Sequence, residues 1–107
     1  IVEHAPFSGV FDGNGHSISH FRFRNNSPSA ATGFISQLTA GTITNLTLLD
    51  AFVEGGNYSG ILTGFAGSGS SIQNVHVKNS YIEGREYTGG VLGEANATNL
   101  LNISATG

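Results

Sequence analysis

One six-residue pattern recurs along this chain, and the recurrence limits the possible fold more tightly than anything else in it. Ile18-Ser-His-Phe21-Arg-Phe23 aligns with Ile43-Thr-Asn-Leu46-Thr-Leu48, with Ile72-Gln-Asn-Val75-His-Val77 and with Leu100-Leu-Asn-Ile103-Ser-Ala105. The leading residues Ile18, Ile43, Ile72 and Leu100 lie 25, 29 and 28 residues apart. A period of that length belongs to solenoids, in which each repeat packs only on its neighbours. A second segment recurs in the same phase: Ser8-Gly9-Val10-Phe11, Thr32-Gly33-Phe34-Ile35, Ser59-Gly60-Ile61-Leu62 and Thr88-Gly89-Gly90-Val91-Leu92. A third recurs as Ala51-Phe-Val-Glu-Gly55 and Ser80-Tyr-Ile-Glu-Gly84. Each coil is expected to hold about three short extended segments separated by Gly, Asn or Ser corners.

Helix is excluded by pattern, because no window sustains an apolar i, i+3, i+4, i+7 face and Gly occurs 16 times in 107 residues. Antiparallel hairpins predict frequent turns without identity of register over long distances. In-phase apolar columns instead predict parallel coils stacked about 4.8 Å apart, so that like positions touch. The columns Phe21, Leu46, Val75, Ile103 and Phe23, Leu48, Val77, Ala105 then become continuous apolar ladders, alongside Ile18, Ile43, Ile72 and Leu100. Alternation breaks at Asn45, which predicts a bend there. The polar column His20, Asn45, Asn74, Asn102 is read as a structural amide ladder in which stacked side chains satisfy backbone groups at an inward bend; the alternative, a row of amides binding sugar hydroxyls, requires the column to face outward.

From Pro6 to Gly107 the chain resembles the GLUG-type repeat of bacterial secreted and surface proteins. The resemblance is carried by Pro6-Phe-Ser-Gly-Val-Phe-Asp-Gly-Asn-Gly-His16-Ser-Ile18, by Thr32-Gly-Phe-Ile35 and by Gly41-Thr-Ile-Thr-Asn-Leu-Thr-Leu48. The Gly-Leu-x-Gly block is approached by Gly60-Ile-Leu-Thr-Gly64 and Gly89-Gly-Val-Leu-Gly93, whereas Gly33-Phe-Ile-Ser36 lacks the closing glycine. That family includes adhesins and stalks attached to immunoglobulin-A-cleaving peptidases. It implies an all-β, right-handed parallel β-helix, here of about four coils with 25–29 residues per coil. The expectation is a single β-solenoid segment over residues 1–107, part of a longer repeat array or assembly.

The chemistry-bearing residues point away from catalysis. Asp12-Gly-Asn-Gly-His16 supplies residues tolerant of positive φ for a corner, and no helix pattern follows to make it a phosphate loop. Glu54 and Glu83 share a register, with Ser29 nearest in the preceding coil; they are candidates for a metal site, but Ca²⁺ wants six to eight oxygens. The four His lack helical zinc spacing and there is no Cys to complete a tetrahedron. No catalytic residue and no cofactor are expected. A net charge of −3 with four Lys and Arg leaves no basic stripe for nucleic acid, and no apolar run reaches membrane-spanning length. Thr does not repeat on the outward strips Ser19, Thr44, Gln73, Leu101 and Arg22, Thr47, His76, Ser104, which disfavours an ice-binding face. Tyr58 and Tyr87 share one register and are candidate glycan contacts. Five N-glycosylation sequons begin at Asn25, Asn45, Asn57, Asn96 and Asn102, a number that so Asn-, Ser- and Thr-rich a chain generates freely.

The expectation is therefore an extracellular or cell-surface structural or adhesive module, a rigid spacer or binding stalk. Its partners would be other repeats of the same chain or other copies end to end, with surface glycans or host-cell proteins as ligands. The alternatives are a self-assembling extracellular filament subunit and, further off, a carbohydrate-active β-helix enzyme.

Overall fold

The computed structural model describes residues 7–25, 31–96 and 98–106. Among them there is no helix. A long strand β1 (Val10–Ser19) is followed by three rounds of one short, two very short and one long strand. The first round is β2 (Arg22–Arg24), β3 (Ala31–Thr32), β4 (Ile35–Leu38) and β5 (Thr42–Leu49). The second is β6 (Phe52–Glu54), β7 (Tyr58–Gly60), β8 (Thr63–Ala66) and β9 (Ser71–Lys78), and the third is β10 (Tyr81–Glu83), β11 (Tyr87–Gly89), β12 (Leu92–Ala95) and β13 (Asn99–Thr106). All pairings are parallel and join like strands of successive rounds. The long strands form a four-stranded sheet in the order β1-β5-β9-β13, and the others form three-stranded sheets. The chain is a parallel β-solenoid of about three turns, each built from four strands and not three.

The long strands explain the interior. In β5 the buried residues are Ile43, Leu46 and Leu48, and in β9 Ile72, Val75 and Val77. Strict alternation would turn Leu46 and Leu48 outward; Asn45, at φ 56°, spends one extra residue in the left-handed region and returns the later side chains to the core. Asn74 (φ 54°) and Asn102 (φ 54°) do the same in their turns, and Asn tolerates this conformation better than other residues with a Cβ. Ile43 pairs with Ile72 and Ile72 with Leu100; Leu46, Val75 and Ile103 form the next column, and Leu48, Val77 and Ala105 the third. Each fully buried aliphatic side chain stabilises the stack by about 1.5–3 kcal/mol. Successive turns approach closely here: a Cβ on Gly60 of β7 would lie 2.6 Å from the Leu92 Cα, and one on Gly93 of β12 would lie 2.6 Å from the Gly64 carbonyl oxygen.

The first long strand corrects the expected register. Phe11, not Ile18, pairs with Ile43; Ile18 pairs with Leu48, and His16 stands opposite Leu46. Between Asp12 and His16 the strand carries Gly13-Asn14-Gly15 where β5 carries Asn45 alone, so the ladder slips at that point. This also removes His20, Phe21 and Phe23 from the long sheet. Phe23 pairs with Val53, which pairs with Ile82, while the Phe21 carbonyl accepts from the Phe52 amide at the corner. Ser8-Gly9-Val10-Phe11 likewise belongs beside the start of β5: Phe7 bridges Leu38 and the Thr42 amide donates to the Gly9 carbonyl. Phenylalanines pack together in the first turn, with Phe21 on Phe23 at 5.3 Å and on Phe34 at 5.5 Å, and Phe11 edge-on to Phe34 at 5.8 Å between ring centroids.

Candidate functional surface

Two polar ladders run along the outside of the stack. In the first, Asn102 Nδ2 donates to Asn74 Oδ1 (2.5 Å), Asn74 Nδ2 to Asn45 Oδ1 (3.1 Å) and Asn45 Nδ2 to Asp12 Oδ1 (3.2 Å). The left-handed residues point these amides away from the core, so the ladder faces outward and the expected inward bend is not what they serve. Its foot is Asp12, and not His20. The Asn14 amide donates to the same Asp12 oxygen at 2.8 Å, and this backbone hydrogen bond, followed by that of Asn45, holds the Asp12 carboxyl below its ordinary range. Asn45 and Asn74 each donate to the turn before and accept from the turn after, so the ladder has a direction.

His20 stands in a second ladder at the far end of the long strands. His20, Asp50 and Asn79 all have positive φ (61°, 51° and 56°). Asn79 Nδ2 donates to Asp50 Oδ1 at 2.8 Å, and His20 Nε2 lies 3.5 Å from Asp50 Oδ2. A repeating sequence signal marked it, since Asp50 precedes Ala51-Phe-Val-Glu and Asn79 precedes Ser80-Tyr-Ile-Glu.

The adjoining short face carries two parallel columns on its outer side. Arg22, Phe52 and Tyr81 are paired in register, with the Arg22 guanidinium 4.4 Å from the Phe52 ring centroid and the Phe52 and Tyr81 rings stacked at 4.9 Å. Two residues along stand Arg24, Glu54 and Glu83. Arg24 therefore occupies the place expected for Ser29, which lies outside the described residues, and it contacts Glu54 Oε1 through Nε (2.7 Å) and Nη2 (2.6 Å). Glu83 accepts from the Tyr81 hydroxyl at 2.7 Å, and this hydrogen bond, with the Glu83 charge, raises the Tyr81 pKa above its usual value. Glu54 and Glu83 are thus brought together as neighbours, but one is committed to an arginine and the other to a phenol. No group of three or more His, Asp or Glu side chains that could hold a metal occurs among the described residues.

Tyr58 and Tyr87 also meet in register, with rings 5.1 Å apart and 7° from parallel, and Tyr58 sets its ring against the Phe65 ring at 79°. The facing ring surfaces cover one another, while Tyr87, on the outer strand of this sheet, is 42% exposed.

No helix among the described residues is long and apolar enough to cross a membrane. No family model matches the chain and no solved structure matches it, so the GLUG-type resemblance rests on its own quoted residues. The chain is similar to halomucin of Haloquadratum walsbyi (strain DSM 16790 / HBSQ001), with 39% identity over 70 residues. The matched stretch is 64% of this chain and 1% of halomucin, so the chain spans only a small fraction of the relative's length.

Proposed function

We propose that the chain is an extracellular structural repeat module, a rigid non-enzymatic spacer in a surface protein, wound as a right-handed β-helix. The observation that carries this reading is where the outward side chains direct their interactions. Amide bonds to amide, ring stacks on ring and Arg22 lies over Phe52, in each case along the stack and from one turn to the next. Such a surface reinforces a rod. The mucin-type name of the similar protein supports an extracellular setting. The test is to stretch the folded chain between its termini by force spectroscopy and to screen it on a glycan array. Cooperative rupture without selective glycan retention supports a spacer. Selective retention that is lost on Tyr81→Ala or Tyr87→Ala would replace that reading with an adhesive one.

Self-assembly into a filament is the second reading, favoured by apolar side chains on the two outer long strands: Val10 on β1 is 74% exposed, and Leu100 and Leu101 on β13 are 42% and 64% exposed. A copy stacked with its β1 on β13 would, however, set the Asp12 carboxylate against the free Asn102 carbonyl oxygen, two acceptors with no proton between them. Light scattering with negative-stain imaging across a concentration series decides: fibres establish the filament, and a concentration-independent monomer removes it.

A further inference from the structure

We propose that the end of the stack formed by β10 and β13 is a docking surface for the β1–β2 end of a second copy, and that Asp12 is the residue that holds the two ends apart. Like strands of successive turns pair in fixed register, so the partners across a continued stack follow from the columns themselves. In such a stack β13 receives β1 of the second copy and β10 receives its β2.

The two ends complement one another in shape and in charge. The β10–β13 end is hollow: a recess of about 280 Å³ has Ile61 and Val77 of the second turn and Ile82 and Ala105 of the third among its lining residues. An apolar cavity of roughly 150 Å³ already accepts benzene. The opposite end carries the half-buried Phe11, Phe21 and Phe23. In the continued columns Phe23 falls on Ile82, and Phe11 falls on Leu100, which is 42% exposed. Arg24 of the second copy falls on Glu83, which places its guanidinium between that carboxylate and its own Glu54. Arg22 falls on Tyr81, a residue 49% exposed whose ring is stacked on Phe52 from the other side. That pairing repeats the cation–π contact that Arg22 makes with Phe52 inside the chain at 4.4 Å.

One column does not match. Asp12 pairs with Thr44, Thr44 with Gln73 and Gln73 with Leu101. A second copy therefore sets its Asp12 carboxylate beside the apolar Leu101 side chain and the side-chain oxygen of Asn102, the last rung of the amide ladder. Neither offers a proton, so the carboxylate loses water without gaining a donor. A charge on an outer strand is a recognised guard against edge-to-edge pairing of open sheets.

This inference is independent of the spacer reading; it specifies the contact on which the filament reading depends and the residue that blocks it. The parent chain, Asp12→Asn and Leu101→Lys are compared by sedimentation velocity and negative-stain imaging over a concentration series, with circular dichroism confirming that each is folded. The parent is expected to stay at single-chain mass. Asp12→Asn supplies a donor for the Asn102 oxygen, and Leu101→Lys, made at a position 64% exposed, sets an ammonium against Asp12. Both variants should form rods whose mass rises with concentration, and adding Leu100→Lys, which sets a charge on Phe11, should return each to single-chain mass. Association of the parent would establish the filament and remove the role of Asp12. A folded Asp12→Asn or Leu101→Lys chain that stays single, or rods that survive Leu100→Lys, would overturn the docking surface. None of these results bears on the force-spectroscopy and glycan-array test of the spacer.

Discussion

Asn74 is the middle rung of the first ladder, and its replacement separates the two contributions an Asn makes there. It donates to Asn45 at 3.1 Å and accepts from Asn102 at 2.5 Å, and it holds φ 54°. Both hydrogen bonds are exposed, so each is worth about 0.5 kcal/mol, the low end of the net range for neutral pairs. Left-handed backbone costs an ordinary residue with a Cβ about 1 kcal/mol or more, a cost that Gly escapes. Asn74→Ala therefore loses about 2 kcal/mol in all, and Asn74→Gly about 1 kcal/mol. With about 4–8 °C of melting temperature per kcal/mol for a domain of this size, Ala lowers the midpoint by about 8–16 °C and Gly by about half of that. The assay is thermal unfolding by circular dichroism, with urea midpoints as a second measure. Equal midpoints for Ala and Gly would refute the conformational part of this reasoning, and a Gly variant as stable as the parent would refute the ladder part.

Four further outcomes are expected. Leu46→Asp buries an unpaired carboxylate in a position 2% exposed and abolishes the cooperative transition, whereas Thr47→Asp on the outer strip shifts it by under about 1 kcal/mol; similar urea curves would contradict the inward–outward assignment. Gly60→Ala forces backbone away from Leu92 and lowers the midpoint by more than an exposed Gly15→Ala, whose Cβ meets nothing within 4 Å although it carries its own strain at φ 77°. Because folding depresses the Asp12 pKa from its ordinary value of 3.8, Asp12 contributes stability that is full above that value and lost as pH falls through its lower folded value. The pH dependence of melting between pH 5 and 2 should accordingly be shallower in Asp12→Asn. Tyr81 runs the other way: its pKa is raised, so its contribution is present below pH 10 and lost as pH climbs through the folded value. Absorbance titration at 295 nm should find a phenol that titrates above its ordinary value, and Glu83→Gln should move it back toward that value.

The second and third turns were legible because their strands repeat with few insertions. Ile43 with Ile72, Leu46 with Val75 and Asn45 with Asn74 could be paired by alignment. The first turn misled for a physical reason: Ile18-Ser-His-Phe21-Arg-Phe23 copies the apolar spacing of β5, yet its second half belongs to a different face. Apolar spacing reports only that side chains go inward; it does not say around which corner. The Gly13-Asn14-Gly15 insertion, which decides the register, reads as an ordinary turn. Outward chemistry was harder to find. Stacked pairs such as Phe52 with Tyr81 and Arg24 with Glu54 come from different turns, and the second of them became visible only once β2 was set beside β6.

The direction of the amide ladder bears on how a solenoid of this kind lengthens. An Asn rung is compatible with Asn rungs on both sides, because its nitrogen and its oxygen face opposite ways along the stack. A duplicated turn can thus be inserted beside its parent with every amide still matched, and the bonds simply shift by one place. A turn bearing Asp in the same place is not interchangeable in this way, since a carboxylate can receive a proton from one neighbour but has none to offer the other. Tandem duplication of Asn-bearing turns keeps every ladder bond matched, so the number of turns can vary without leaving an unpaired rung between them.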